Sequence, residues 1–522
     1  MFQRGIHPQS DRHPQSDRNP KSDRNPKSGP TDPFQGMATL PRAGRPSSSV
    51  GAVAFVLGLA TLASCGGEAP VATEPAQDGP RDARVDAVFA DLDGPRPGAA
   101  VAIRRNGEVV HLAGYGMAHM DHAVPITGHT VFDIASISKQ FGALAAMLLA
   151  EEGRLDLDAD VRTYVPELPD FGAVITPRHL VHHVGGIRDW PHTMALGGVE
   201  MSDVISFEKI LRMLMQQEAI NFDPGAEYAY SNTGYNLLAR VIEVQSGMSF
   251  REFTQSRIFE PLGMGDSHFS DDYLEIVPDR AESYAPVPEG QGFRRQVNQL
   301  TALASSSLHT TAADFLKWME NYETGQVGGQ GIQERMIQRG ILNGGDTIAY
   351  AWGLTVGEYR GLSMFGHGGS WAGYRTQFVR FPDQDLSIAV FCNVSDCDPA
   401  GRARRVADAF LESEMGPPEE DEGPPSGPDE APMFESELRE LTGTYRSPEL
   451  DSTYELFVED GQLVADHWRN ARTVLTPTGQ DTFTGDQWWF PELSFLRDDG
   501  GRVIAFLVTG VRVRNLRFDR VR

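Results

Sequence analysis

Residues 131–149 read VFDIASISKQFGALAAMLL, and this stretch decides the fold. From Ser136 the apolar residues recur at helical spacing, and the pattern ends at Glu151 and the residues after it. A serine three residues before a lysine lies one turn away on the same helix face, so Ser136 and Lys139 should be neighbours. We therefore predict a helix that is buried at its back and presents Ser136 at its open front.

The pair Ser136 and Lys139 also indicates a chemistry. Serine is a poor nucleophile unless a base takes its proton, and a lysine desolvated in a cleft can be that base. The helix N-terminus adds positive potential where an oxyanion would develop. The same pattern occurs at residues 206–209, on an amphipathic, Met-rich segment where we interpret Lys209 as a solvated surface residue. Ser136 is the predicted nucleophile.

A second motif, Tyr230-Ser231-Asn232, follows the loop sequence PGAEYA. A free tyrosine has a pKa of about 10. Beside a cationic lysine, Tyr230 can relay a proton as base for the serine and then as acid for the leaving group. Asn232 would offer its amide to the substrate carbonyl and to Lys139. The alternative interpretation of the tripeptide is a turn before a helix.

A third motif, His367-Gly368-Gly369-Ser370, is predicted at the start of a strand. Two glycines allow the backbone to approach a substrate closely. The N–H of Ser370 could form an oxyanion hole with the N–H of Ser136. The alternative is a glycine-rich turn with an incidental histidine.

The surrounding pattern predicts an α+β fold. Residues 98–116 indicate two strands joined at Asn106-Gly107, a strong hairpin signal because both turn residues adopt positive φ. Residues 155–345 are mostly helical segments and loops, and a helix is predicted at 402–414. Short strands are predicted at 350–356, 363–365, 373–381 and 386–393. One sheet would be built from both ends of a domain at 84–415, with a helical region inserted and a cleft between them.

A separate module follows this domain. Residues 416–433 form an acidic, proline-rich segment that is typical of a stiff, charged linker. Residues 434–522 alternate polar and apolar residues in short runs, with turns at Asp460-Gly461 and Asp499-Gly500. We predict a small all-β module, such as a barrel.

The N-terminal 83 residues are predicted to direct export. Residues 1–36 contain a polar hexad repeat that is either disordered or untranslated, since Met37 is a better-placed start. Residues 37–65 have an arginine pair, an uncharged run at 50–63 and the sequence Leu-Ala-Ser-Cys ending at Cys65. This resembles a bacterial lipobox, in which Cys65 is acylated. An ordinary secretory signal or a buried helix are the alternatives. Residues 66–83 would be a tether.

Composition limits the partners. The formal net charge of −26 argues against a nucleic-acid partner, which needs clustered Lys and Arg. We expect no metal and no cofactor, because the sequence has neither a metal-ligand cluster nor a phosphate loop. In an oxidising compartment Cys392 and Cys397 either pair as a disulfide or remain free thiols.

Taken together, the three motifs and their order resemble the superfamily of serine β-lactamases, penicillin-binding proteins and related esterases, of the class C-like type. The resemblance covers roughly residues 83–415 and is supported by the stretches LVHHVGGI at 180–187 and LHTTAADF at 308–315. It implies an antiparallel sheet flanked by helices, with a helical subdomain. The C-terminal module resembles the lipocalin-like domains of some members. The resemblance implies catalytic and substrate-binding roles for Ser136, Lys139, Tyr230, Asn232, His367, Gly369 and Ser370.

The third motif departs from the family pattern, in which His367-Gly368 is usually Lys-Thr. A histidine with an ordinary pKa near 6.5 is a weaker anchor for a substrate carboxylate than lysine. The resemblance implies that His-x-Gly members include D-amino-acid peptidases and esterases. We therefore expect an exported, lipid-anchored serine hydrolase that faces the periplasm or exterior. Its substrates would be D-amino-acid peptides of cell-wall origin, related amides or small esters. The alternatives are a true β-lactamase and a non-catalytic penicillin-binding or sensor protein.

Overall fold

The computed structural model describes residues 78–288, 290, 292–417 and 433–521, all within one compact unit. The hexad repeat, the predicted signal segment with Cys65, most of the tether and most of the acidic linker lie outside these residues, so the predictions made for them stay predictions. Within the described residues, no helix has the length and apolar character needed to cross a membrane.

The first part of the domain at 84–415 forms a helix, a long hairpin and three short strands. At the hairpin turn, Asn106 has φ 51° and Gly107 has φ 76°, as the Asn-Gly signal predicts. Residues 79 and 80 pair through their backbone with Leu112, so the chain is docked on the sheet before its first helix. The elements are α1 (Ala83–Phe89), β1 (Ala99–Arg105), β2 (Glu108–Tyr115), β3 (Met117–His119), β4 (Val124–Pro125) and β5 (Val131–Asp133).

The central part is mostly helical. A 3₁₀ turn, Ala135–Ser138, precedes the buried helix, and a π-helical turn, Gln255–Phe259, interrupts the region. The elements are α2 (Lys139–Glu151), α3 (Pro177–Val181), α4 (Trp190–Leu196), β6 (Ile205–Ser206), α5 (Phe207–Leu214), α6 (Asn232–Ser246), α7 (Phe250–Thr254), α8 (Glu260–Leu262), β7 (His268–Phe269), β8 (Tyr284–Pro286), β9 (Phe293–Arg295), β10 (Leu300–Thr301), β11 (Leu308–Thr311), α9 (Ala312–Thr324) and α10 (Gly329–Met336).

The chain then returns to the sheet through β12 (Thr355–Tyr359), β13 (Leu362–Trp371), β14 (Tyr374–Phe381) and β15 (Leu386–Cys392), and α11 (Pro399–Leu411) follows. The six-stranded sheet has the order β12-β13-β14-β15-β1-β2, and all its pairs are antiparallel. The predicted α+β fold, with one sheet built from both ends of the domain, is confirmed.

Both faces of this sheet are buried. On β1, Ala100 and Ala102 face the core beneath the helical region, whereas Val101 and Ile103 face the core beneath α1 and α11. Successive side chains of a strand point to opposite faces, so a strand with apolar residues at every position fits between two layers. The sheet is therefore the middle layer of a sandwich, and β13 and β14 contact the turn Ala135–Ser138 that precedes α2.

Two strand boundaries differ from the prediction. The segment 350–354 is not a strand, because Tyr350 turns inward and its hydroxyl contacts His367. The strand that carries the third motif extends to Trp371, so His367 lies within a strand and not at its start. Pairing with β14 keeps this glycine-rich segment extended despite its weak strand propensity, whereas the pairing with β12 ends at Gly366.

The C-terminal module is a closed eight-stranded barrel, which fits a lipocalin-like module. Its interior is filled by apolar and aromatic side chains, including Tyr445, Tyr454, Phe483 and Phe506. A short helix precedes the barrel. The elements are α12 (Glu435–Glu440), β16 (Gly443–Ser447), β17 (Ser452–Glu459), β18 (Gln462–Asp466), β19 (Thr473–Gly479), β20 (Thr482–Gly485), β21 (Glu492–Arg497), β22 (Val503–Thr509) and β23 (Leu516–Arg520).

The barrel is docked against α4 and the segment before it. Arg188 forms a buried ion pair with Glu449 of the barrel, with an N–O distance of 2.5 Å and side-chain exposures of 3% and 8%. The carbonyl of Leu196 accepts a hydrogen bond from the hydroxyl of Tyr454, and Leu196 belongs to the barrel core. The boundary between the two domains is therefore a packed interface that lies beside the end of the helical region.

Candidate active site

A strained turn presents Ser136. Ala135 adopts a φ of 48°, in the left-handed region that side chains other than glycine rarely occupy. The turn is held because Asp133 Oδ1 accepts the N–H of Ala135 at 2.8 Å, and the Thr376 hydroxyl donates to the carbonyl of Ile134 at 2.9 Å. Ser136 is half-buried between buried neighbours. The result is a serine open to the cleft on a turn that is fixed from behind.

The third motif packs directly against this turn. A Cβ atom on Gly369 would lie 2.3 Å from the carbonyl oxygen of Ile134 and 2.2 Å from Thr376 Oγ1, so only glycine fits. This close approach brings the next residue, Ser370, to the cavity that Ser136 also lines. The placement agrees with the predicted oxyanion pair formed by the N–H groups of Ser136 and Ser370.

Lys139 lies beneath Ser136 and is fully buried. Its Nζ lies 3.3 Å from Ser136 Oγ and donates to Asn232 Oδ1 and to the carbonyl of Ser305, each at 2.7 Å. Burial holds the pKa of Lys139 well below its usual range. A neutral amine has two N–H groups and one lone pair. Because two oxygens take the N–H groups, the lone pair faces Ser136, as a general base requires.

Tyr230 faces Ser136 from the other side. Its hydroxyl hydrogen-bonds Ser136, and burial raises the pKa of Tyr230 far above its usual value. The ring of His183 packs behind it in a tilted arrangement, with centroids 4.2 Å apart. Burial favours the neutral forms of both side chains, and a neutral amine is a stronger base than a neutral phenol. Lys139 is placed to accept the serine proton and Tyr230 to donate one.

Asn232 is the first residue of α6, and its amide orients Lys139. Ser231 caps this helix by accepting the N–H of Gly234 at 3.2 Å. Asp189, which is fully buried, accepts the Asn232 backbone N–H at 2.8 Å and its Nδ2 at 3.0 Å. The amide oxygen is thereby directed to Lys139, the contact expected from the motif. Asn232 also lines the cavity, where a substrate would meet it.

His367 lines the same cavity, but its ring is already engaged. Nδ1 lies 2.6 Å from the carbonyl of Gly368, which can only accept, so Nδ1 carries the proton. Nε2 then accepts the hydroxyl of Tyr350 at 3.0 Å. Burial, assisted by Lys139, lowers the pKa of His367 to about 3, so the ring is neutral at physiological pH. His367 therefore adds no positive charge to the cleft.

The second Ser-x-x-Lys copy has a structural role. Ser206 is the N-cap of α5, and its hydroxyl accepts the backbone N–H of Lys209 at 3.2 Å. The amine of Lys209 donates instead to the carbonyl of Val204 at 3.3 Å. The two side chains of this copy do not form a nucleophile–base pair.

These groups surround a cavity of about 730 Å³, within the range of small-molecule sites. Its walls are apolar and include Trp190, Met201 and Trp371, with Trp488 from the barrel. Among the described residues, no group of three or more His, Cys, Asp or Glu side chains lies close enough to hold a metal ion. Cys392 and Cys397 are joined in a disulfide where β15 ends, outside this cavity.

Three residues at the site were not identified from the sequence. Asp189 and Ser305 lie in loops without a motif, and their roles depend on contacts with Asn232 and Lys139. Arg512 comes from the barrel, and its Nη1 lies 3.2 Å from Asp189 Oδ2. No short-range pattern connects these positions, although an acid between Arg188 and Trp190 in a buried segment is a weak signal.

Comparisons with known proteins support the same fold. The β-lactamase family profile matches residues 85–411. A D-aminopeptidase of Gluconobacter oxydans is 28% identical over 332 residues, which are 63% of this chain and 62% of that protein's length. Penicillin-binding protein 4* of Bacillus subtilis is 28% identical over 309 residues, which are 56% and 67% of the two chains.

Solved structures extend the comparison to the barrel. The octameric penicillin-binding protein homologue from Pyrococcus abyssi has a TM-score of 0.57 and 25% identity, with 84% of this chain and 98% of that chain covered. The D-amino acid amidase from Ochrobactrum anthropi SV3 has a TM-score of 0.54 and 23% identity over 63% of this chain and 99% of that chain, a likeness of fold. With the three motifs assembled in one cleft and a family match over most of the chain, the protein belongs to the β-lactamase family.

Proposed function

We propose that this protein is a serine hydrolase that acts through an acyl-enzyme on D-amino-acid peptides, related amides or small esters. The observation that carries the proposal is the position of Ser136 between the amine of Lys139 and the hydroxyl of Tyr230, at an open cavity. The relatives named D-aminopeptidase and D-amino acid amidase support the substrate class.

Acylation follows from these contacts. The neutral amine of Lys139 accepts the Ser136 proton as Oγ attacks the substrate carbonyl, and the N–H groups of Ser136 and Ser370 stabilise the oxyanion. Tyr230 gives its proton to the leaving amine or alkoxide as the acyl bond breaks, and the ammonium of Lys139 restores that proton. The leaving group departs neutral, and Ser136 carries the acyl group.

Deacylation reverses these roles with water as nucleophile. Lys139, neutral again, accepts a proton from water as it attacks the ester carbonyl, and the same N–H groups hold the second oxyanion. Collapse of that intermediate releases the carboxylic acid when Ser136 regains its proton. Asn232 and Asp189 take no proton in this scheme; they keep the lysine amine directed at Ser136.

The experiment is intact-mass analysis after incubation with a fluorophosphonate and, separately, with benzylpenicillin. We expect a single fluorophosphonate adduct on the wild type, none on Ser136→Ala and an unchanged adduct on the matched control Ser206→Ala. Labelling of Ser136→Ala, or its loss in Ser206→Ala, would show that the nucleophile is assigned wrongly.

The penicillin arm separates the alternatives. A stable penicillin adduct without turnover indicates a penicillin-binding or sensor protein, and rapid penicillin hydrolysis indicates a true β-lactamase. The neutral His367 offers no charge to the penicillin carboxylate at the third motif, so either outcome would require another cation at the cleft.

We also propose that the protein is exported and lipid-anchored through Cys65, facing the periplasm or exterior, where peptides of cell-wall origin would reach it. The arginine pair, the uncharged run and the small residues before Cys65 support this location. Cys65→Ser should move the full-length protein from the membrane to the soluble fraction, and the neighbouring Ser64→Ala should leave it in the membrane. If Cys65→Ser still sediments with membranes without detergent, the anchor is wrong.

A further inference from the structure

The loop between β22 and β23 of the barrel enters the catalytic cleft. Its backbone is fixed there: the carbonyl of Arg512 accepts the N–H of Asp189 at 3.1 Å and the Nδ2 of Asn221 at 3.0 Å. Asn221 Oδ1 also accepts the N–H of Arg514 at 2.8 Å. These hydrogen bonds join the backbone of the loop to groups of the catalytic domain, so they fix the position of the loop at the cleft.

The side chain of Arg512 points into the cavity. Its guanidinium carbon lies 4.8 Å from the centroid of the Tyr230 ring, and one nitrogen contacts Asp189 at 3.2 Å. That contact uses a single one of the five N–H donors that a guanidinium carries. The side chain remains 39% exposed, so further donors face the space that a substrate would occupy.

The charge of the cavity is unbalanced. No Asp or Glu is among the described residues that line it, and Asp189, which lies behind the wall, is fully buried and satisfied. The pKa values of His192 and His367 are lowered by burial, so both rings are neutral at pH 7. Arg512 is therefore the one formally charged side chain in the described lining of the cavity.

We propose that Arg512 binds a carboxylate on the leaving group of the substrate. The inference rests on the proposed function and names its substrate class: peptides, amides or thioesters whose departing part carries a free carboxylate. Arginine presents paired N–H donors that match a carboxylate, and such charge-assisted bonds are the strong ones. The anion belongs on the leaving-group side because Arg512 lies over Tyr230, which protonates that group.

A substrate whose leaving group carries a free ammonium is disfavoured in the same cavity. It would meet the charge of Arg512 and find no carboxylate among the described lining residues. The barrel thus supplies at the cleft the cation that His367 does not. A residue of the second domain sets the specificity of a site whose reacting groups all belong to the first.

The test uses two thioesters that differ in one charge, N-acetyl-D-alanyl thioglycolate and the corresponding thioglycolamide. We expect the wild type to prefer the carboxylate by kcat/KM. Arg512→Gln should reduce that preference roughly 10- to 100-fold, the usual effect of losing a charge-assisted contact. Arg512→Lys should restore part of it, because it returns the charge without the planar fork.

Arg514→Gln is the matched control. It removes an arginine from the same loop, but its partner is Glu227, 2.8 Å away and half-exposed, and neither residue lines the cavity. Its preference should equal that of the wild type. Fluorophosphonate labelling is measured on every variant, which separates a failure of this inference from a failure of the proposed function.

Two results would overturn the inference while labelling of Ser136 persists. One is a wild type without preference for the carboxylate. The other is an equal loss of kcat/KM on both thioesters in Arg512→Gln, which would make Arg512 a positioning residue that acts through Asp189. If the wild type is not labelled at all, the proposed function and this inference fall together.

Discussion

Asp189→Asn offers the sharpest test of the role assigned to Lys139. The substitution keeps the shape of the side chain and removes its charge. The carboxylate and the lysine amine are joined through the Asn232 amide by hydrogen bonds of 3.0 and 2.7 Å. The negative charge of Asp189 raises the pKa of Lys139, against the larger effect of burial. Without that charge, the amine should become neutral at lower pH.

The size of the effect follows from this geometry. Two hydrogen bonds and one amide place the charges roughly 7 Å apart, which at an effective dielectric constant of about 20 corresponds to about 2.4 kcal/mol. The acid limb of the kcat/KM profile should therefore move measurably to lower pH, since one pH unit corresponds to about 1.4 kcal/mol. The direction is fixed: a base that loses its proton more readily acts at lower pH.

The assay is the pH dependence of kcat/KM for p-nitrophenyl acetate, followed at an isosbestic wavelength. The position of the acid limb is the readout, because the plateau would also fall if the amide of Asn232 lost its orientation. Glu227→Gln is the control, since it removes one negative charge beside the same barrel loop at an exposed ion pair. An acid limb that stays in place or moves to higher pH in Asp189→Asn would refute Lys139 as the base.

Three further substitutions test the packing around the site. Gly369→Ala should lower kcat/KM for p-nitrophenyl acetate at least 100-fold, because its Cβ would lie 2.2–2.3 Å from two oxygens. The control Gly368→Ala should be tolerated, because the nearest contact of its Cβ is 3.1 Å to a flexible side chain. Equal activities of the two variants would contradict the close approach of Gly369 to the turn before Ser136. His367→Lys should destabilise the protein by about 2 kcal/mol in calorimetry, because the buried hydroxyl of Tyr350 loses its hydrogen-bond acceptor. An unchanged Tm together with faster nitrocefin hydrolysis would instead show that this position binds a carboxylate. Glu449→Gln should lower the free energy of unfolding in urea by about 3–5 kcal/mol, because it leaves the charge of Arg188 buried and uncompensated. A decrease below about 1 kcal/mol would show that the ion pair is solvated.

The positions of the residues proposed to react could be predicted from sequence because each lies in a local pattern. Ser136 and Lys139 are one helical turn apart, and Asn232 begins a helix that its neighbour caps. Their mutual contacts need only the antiparallel sheet and the inserted helices, which periodicity also indicates. The prediction of the hairpin turn at Asn106-Gly107 is confirmed for the same reason, since the positive φ angles of this turn depend on two adjacent residues.

The groups that tune the site could not be predicted, because their partners are distant in sequence. Asp189 gains its role only when Asn232 and Arg512 meet it, and Arg512 belongs to another domain. The inward turn of Tyr350 likewise depends on a partner, His367, which satisfies its buried hydroxyl. Local propensity favours a strand from Tyr350 onward, but the hydrogen bond between Tyr350 and His367 turns this residue inward, and the strand begins only at Thr355.

The loop that carries Arg512 has a consequence for how such enzymes diversify. The barrel interior is filled, so its strands hold their shape whatever residues occupy the loop between β22 and β23. The proposed nucleophile, base and acid all come from the other domain. Side-chain substitutions in this one loop can therefore alter substrate choice while its backbone contacts to Asp189 and Asn221 are kept. Surface loops tolerate such changes far better than strands or helices. The two-domain architecture separates the part of the molecule that selection must conserve from the part that it can vary.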